Sequence, residues 1–267
     1  MFEFRKNPVV SYIGVVAITL ILEMILSGII ATVFNINETE PMAFIVVIVT
    51  TLIIAALYIY KFKFKTMFAL SNFKLGIILV LPFVLFILAN FLDSDLIIPP
   101  TLTLLGLCVL KGLAPGLSEE IIFRGIFVSY MMKVFKSPKK IIGAALIPAV
   151  LFGLIHVANV FVGAPLDVSI FQAVYAFGVG VLFSAVYLRT GNLWVPIIMH
   201  TIADFVAFCH ASMMEGMGVL SGSLVLDLPT VYMLIVIVIV IAFGLYYIRP
   251  AKHDEILELW EEKWSLN

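Results

Sequence analysis

The sequence predicts an all-α polytopic membrane protein of about eight transmembrane helices, and three observations predict it. Of the 267 residues, 63% are hydrophobic and only 12% are charged. Mean hydropathy is +1.18. The apolar residues fall into continuous runs of about 20, the length a helix needs to cross a bilayer, rather than the alternating ten-residue stretches of a transmembrane barrel. The net charge of -1 offers nothing to nucleic acid. Cys108 and Cys209 both lie inside apolar runs, so we expect no disulfide framework. No internal repeat stands out. We therefore expect one membrane domain over residues 1–267, with a motif-bearing core at 101–210 and a tail at 249–267.

Taken in order, the runs are about 9–34, 42–60, 75–92, 101–135, 141–161, 169–188, 194–213 and 229–248. The first is too long for a signal-peptide core and is expected to be a retained span. Charges between the runs alternate in kind. Arg5 and Lys6, then Lys61 to Lys74, then Lys133 to Lys140, then Arg189, then Arg249 and Lys252 fall on one side. Glu38, Glu40, Asp93, Asp95, Asp167, Glu215 and Asp227 fall on the other. The positive-inside rule then predicts that both termini are cytoplasmic; separately, we expect the membrane to be a bacterial plasma membrane.

The fourth run is too long for one crossing. Its 35 residues would make a helix of about 52 Å against a hydrocarbon core of ~30 Å. Pro115-Gly116 offers a break, so the expectation is a short or re-entrant piece up to Ala114 and a second helix capped by Ser118, with Glu119 and Glu120 in its first turn. Elsewhere, Glu23 and Lys111 sit mid-run and are expected to pair as a structural clip. His210 is read as a helix-end or packing histidine, and Asn159 and Gln172 as interhelical hydrogen-bonding residues. In the tail, Ile256, Leu257, Trp260 and Trp264 recur at helical spacing, predicting an interfacial amphipathic helix over 254–264. A cytoplasmic partner for that face is the alternative.

Intramembrane charge is costly, and "GLSEEIIFRG" at 116–125 places three ionisable residues close together. Counted from the loop at 137–140, Glu119 and His156 lie at nearly the same depth and can meet. Asp204 is close to that level, and His200 a turn shallower. Phe152 precedes His156 by one turn, and His200 and Asp204 share a helix face. Glu120 and Arg124 are four apart with Glu N-terminal, the better orientation for a helical ion pair. Glu119 is the freer carboxylate and so the candidate general base. Any one of these residues is as readily structural as reactive; the set at matched depth points to chemistry. Two mechanisms remain open. Glu119, His156 and His200 could hold zinc with an open position for water. The same residues could act without metal, which we favour because His200 is expected to lie too shallow for bonds of ~2 Å.

The ordered set "EEIIFR" at 119–124, "FGLIH" at 152–156 and "HTIAD" at 200–204 resembles the motifs of the type II CAAX-processing endoproteases and their bacterial CPBP or Abi relatives, which include lysostaphin-resistance-like and bacteriocin self-immunity proteins. The resemblance implies an intramembrane endopeptidase acting on a membrane-associated peptide or protein. Glu119 and His156 would activate water, His200 and Asp204 would stabilise the oxyanion, and Glu120 and Arg124 would give structural support. Asp204 departs from the usual Asn, which can donate where an ionised Asp only accepts. Either Asp204 is protonated, or it orients His200. A non-catalytic scaffold or immunity protein is the leading alternative. A proton-coupled transporter is a weaker one, since that class predicts repeats and paired broken helices.

Overall fold

The computed structural model describes residues 7–36, 41–89, 101–135, 139–209 and 226–265. Among them all regular structure is helical. Helix α1 is Pro8–Val33, α2 Pro41–Phe62, α3 Phe73–Val80, α4 Pro82–Ala89 and α5 Leu102–Glu120. A π-helical segment, Ile121–Val128, leads into α6, Ser129–Val134. Then come α7, Lys140–Val157, α8, Leu166–Thr190, α9, Trp194–Ala207, α10, Leu228–Tyr247, and α11, His253–Ser265. Among the described residues six helices are long and apolar enough to cross a membrane. The chain is a multi-pass integral membrane protein.

The two remaining apolar runs are less regular than eight uniform spans would require. The seventh gives a 14-residue α9, and residues 210–213 of that run, His210 included, lie outside the described residues. The third is split into α3 and α4 at Leu81, because Pro82 has no N–H to continue the ladder. Residues 90–92 of that run also lie outside the described residues.

The break expected at Pro115 is absent. One helical rod runs from Leu102 to Val134, 33 residues, with Pro115 inside it. Ser118 caps nothing; its hydroxyl reaches back to the Pro115 carbonyl, 3.5 Å away. Glu119 and Glu120 therefore close α5 rather than open a new helix. Packing explains why the rod holds. Gly112 and Gly116 lie against the backbone of α9, where an added Cβ at Gly112 would stand 2.7 Å from Phe205 N and 2.8 Å from Thr201 O. That close approach supports α5 across the hydrogen bond its proline forfeits. The irregularity appears one turn later, as the wide turns of the π segment, all eight of whose residues are buried.

α8 is the central helix. Gly178 through Leu188 are all buried, with α7, α10 and α11 packed around them. Much of α1 and α2, in contrast, turns leucine, isoleucine, valine and methionine outward, as lipid-facing helices do. Glu23 and Lys111 do not pair. Glu23 accepts from Thr51 Oγ1 at 3.4 Å, joining α1 to α2. The Lys111 ammonium lies 5.3 Å from the Phe208 ring centroid. Asn159 does donate to Gln172, at 2.7 Å, as expected of an interhelical hydrogen bond.

The cationic loops gather at one end. Lys133 donates to the Phe62 carbonyl at 2.9 Å, and Arg189 to the Tyr247 carbonyl at 3.1 Å and to Glu255 at 3.1 Å. The tail helix α11 docks on this end, so the bundle covers part of the apolar stripe read from the sequence. Ile256 and Trp260 are 1% exposed. Trp260 donates its indole N–H to the Leu188 carbonyl at 3.0 Å and stacks on Phe64. Lys263 donates to the carbonyls of Thr66 at 3.0 Å and Gly191 at 2.9 Å. Gly191 ends α8 at φ +63°, and an added Cβ there would lie 2.8 Å from Lys263 Cδ. The apolar stripe of α11 is thus used in part by the protein itself.

Candidate active site

Three helical stretches deliver the motif residues to one buried cluster. α5 and the π segment bring Glu119, Glu120 and Arg124; α7 brings Phe152 and His156; α9 brings His200 and Asp204. The Glu120–Arg124 pair predicted from spacing forms, Arg124 Nη1 donating to Glu120 Oε1 at 2.8 Å with both side chains fully buried. The π segment, which widens the backbone from its i−4 ladder, carries this arginine; such segments recur at functional sites.

Glu120 does more than neutralise arginine. The same Oε1 lies 2.8 Å from His200 Nδ1. An oxygen already accepting from arginine accepts here too, so Nδ1 carries the proton and the tautomer of His200 is set. Its Nε2 then faces Glu119 Oε2 at 3.6 Å and Asp204 Oδ2 at 3.5 Å. The depth mismatch expected for His200 does not exist; the imidazole stands between both carboxylates. Side-chain exposure divides the set cleanly. Glu120 and Arg124 are at 0%, whereas Glu119 is at 26% and Asp204 at 28%.

Phe152 joins the groups. Its ring centroid lies 4.8 Å from the Arg124 guanidinium, 4.9 Å from the His156 ring and 6.0 Å from the His200 ring. A guanidinium over an aromatic face is attracted by its quadrupole. Because a carbonyl oxygen only accepts, His156 donates Nδ1–H to the Phe152 carbonyl at 2.7 Å, leaving Nε2 as a base. It is within electrostatic range of His200 and Asp204. It forms no hydrogen bond or ion pair with Glu119, so the expected direct meeting is not made. Among the described residues no three His, Cys, Asp or Glu groups are disposed to hold one metal ion, and the Glu119, His156, His200 zinc set is not assembled.

Two contributors carried no signal in the sequence. Phe183 of α8 also packs near the arginine, 5.7 Å from the guanidinium and 6.1 Å from the His200 ring. As one apolar residue in an apolar helix, it could not be singled out. Tyr175, also on α8, lies within electrostatic range of Asp204 and Glu119.

No curated protein and no solved structure matches the chain. Residues 99–206 match the family model described as type II CAAX prenyl endopeptidase Rce1-like. That stretch, about two fifths of the chain, contains all seven clustered motif residues and is similar to this family.

Proposed function

We propose that the protein is an intramembrane endopeptidase that hydrolyses a peptide bond in a membrane-associated peptide or protein. The observation that carries the reading is the asymmetry of the cluster. Glu120 is sealed between Arg124 and His200 Nδ1, while Glu119 and Asp204 flank His200 Nε2 on its open side. A sealed carboxylate holds; an accessible one reacts.

In this mechanism Glu119 takes a proton from a water as that water attacks the scissile carbonyl, and His156 Nε2 accepts a hydrogen bond from the same water. Protonated His200 donates from Nε2 to the oxyanion, with Asp204 holding its charge and orientation, the second of the two roles open to an aspartate here. Glu119 then passes its proton to the leaving amine. Glu120, Arg124 and Phe152 position His200. Residues 101–210 carry the chemistry within a single domain, and the cationic end with both termini is cytoplasmic in a bacterial plasma membrane. No step is routed through a metal.

The test is Glu119→Gln, which removes the base and keeps the shape. Membrane proteomes of cells carrying wild type or Glu119→Gln are compared for accumulated precursor peptides. The reading requires precursors only in the variant, at equal protein level, and turnover down roughly 10²–10⁴-fold on the recovered peptide. Full function with Glu119→Gln would establish the scaffold or immunity reading instead.

A further inference from the structure

A second polar cavity, remote from the cluster, lies at the cationic end between α6, the start of α7 and α11. Its volume is about 460 Å³. Met132, Leu257 and Trp260 give it an apolar floor, and Lys133, Lys140 and Trp264 supply donors. Glu261 and Ser265 complete the lining. The Trp264 indole N–H is buried and has no hydrogen-bond partner. Lys133 holds its ammonium over the Trp264 ring, 4.2 Å from its centroid.

We propose that this cavity binds the phosphate of an anionic phospholipid head group. Two lysines and one glutamate line it, Lys140 also donating to the Met132 carbonyl at 3.2 Å, so the lining carries more cationic than anionic groups and suits a negatively charged head group. A phosphate oxygen would satisfy the orphaned indole N–H, since a buried donor without an acceptor is costly. Lysine serves phosphate as a point charge, and the ammonium of Lys133 keeps donors beyond the one given to Phe62. The position favours lipid over free phosphate. The cavity opens where the apolar helices end among clustered cations, and tryptophan and basic residues mark that level of a bilayer. Its apolar floor suits the glycerol end of a lipid. Lys133 belongs to the rod that carries Glu119, Glu120 and Arg124, and Trp264 to the docked tail. A head group bound here would tie α11 to the catalytic rod. The assignment does not depend on the protease reading.

The experiment uses the full-length protein in nanodiscs. Lysine acetylation followed by mass spectrometry reads protection on the unmodified sequence. Phosphatidylglycerol nanodiscs should slow labelling of Lys133 and Lys140 relative to phosphatidylcholine nanodiscs, with labelling of Lys252 unchanged. Bound phosphatidylglycerol is then counted by native mass spectrometry. Lys140→Gln should weaken that binding about fivefold, the effect of one lysine near a lipid surface. Trp264→Phe, which keeps the ring, should weaken it as well. Equal protection in both lipids would overturn the proposal. So would protection by inorganic phosphate alone in phosphatidylcholine nanodiscs, which would identify a free-phosphate site.

Discussion

Two of the buried cations, Arg124 and Lys263, are held by different means. Arg124 lies in the membrane-spanning bundle, where Glu120 answers it with a full opposite charge and two phenylalanine rings pack near it. Lys263 lies in the tail helix, 5% exposed, and gives its ammonium to two backbone carbonyls. An arginine cannot shed its proton, so its partner becomes indispensable. A lysine can, so burial acts on its pKa instead: desolvation pushes Lys263 down from 10.5 to about 8. The first arrangement rests on a permanent positive charge, whereas the second leaves the docking of α11 adjustable.

Removing the partner should separate the two most sharply. Glu120→Ala strands Arg124 and releases His200 together, and should cost about 3–5 kcal/mol, read by thermal unfolding in detergent. A loss under 1 kcal/mol would show that Arg124 finds another acceptor and would dissolve the contrast. Arg124→Lys is next. It keeps the charge but loses the planar group near Phe152 and Phe183, for an expected loss of about 1–2 kcal/mol. A fully stable lysine variant would reduce the aromatic packing to mere filling.

Lys263→Met should change stability by less than about 1 kcal/mol, because an apolar residue of like length replaces a costly buried charge. A loss as large as that of Glu120→Ala would make the carbonyl contacts as essential as the ion pair. The last test is one of pH. Between about 8 and 10.5 the undocked tail holds more protons on Lys263 than the docked one, so docking strengthens as pH rises through that window. Below pH 8 both forms are charged and the slope vanishes. Fluorescence of Trp260 and Trp264 should follow the change, and Lys263→Met should abolish it.

Periodicity and charge spacing disclosed the membrane class, the one-sided cationic loops and the residues of the cluster, because each rests on local chemistry. The Glu120–Arg124 pair was legible for the same reason, being four residues apart on one helix. What the sequence misplaced depended on contacts between distant elements. Pro115 was expected to break its helix and Pro82 was not. The difference lies in the α9 backbone that packs on Gly112 and Gly116. His200 was expected too shallow, because depth was counted along straight helices. Its bond to Glu120 across 80 residues had no local signature. The tail stripe was read correctly as apolar, yet an apolar stripe does not say whether lipid or protein will cover it.

The unbroken rod from Leu102 to Val134 has a consequence for the bilayer itself. At 33 residues it measures about 50 Å, well beyond a hydrocarbon thickness of ~30 Å. Hydrophobic mismatch of that size is relieved by leaning the helix, by protrusion of its ends or by deforming the surrounding lipid. Every one of these responses alters the pose of Glu119 and Glu120, which lie near the middle of the rod. Acyl-chain length thereby becomes a variable of the site. Turnover measured across bilayers of graded thickness should pass through an optimum, and the protein should partition toward membranes near that thickness.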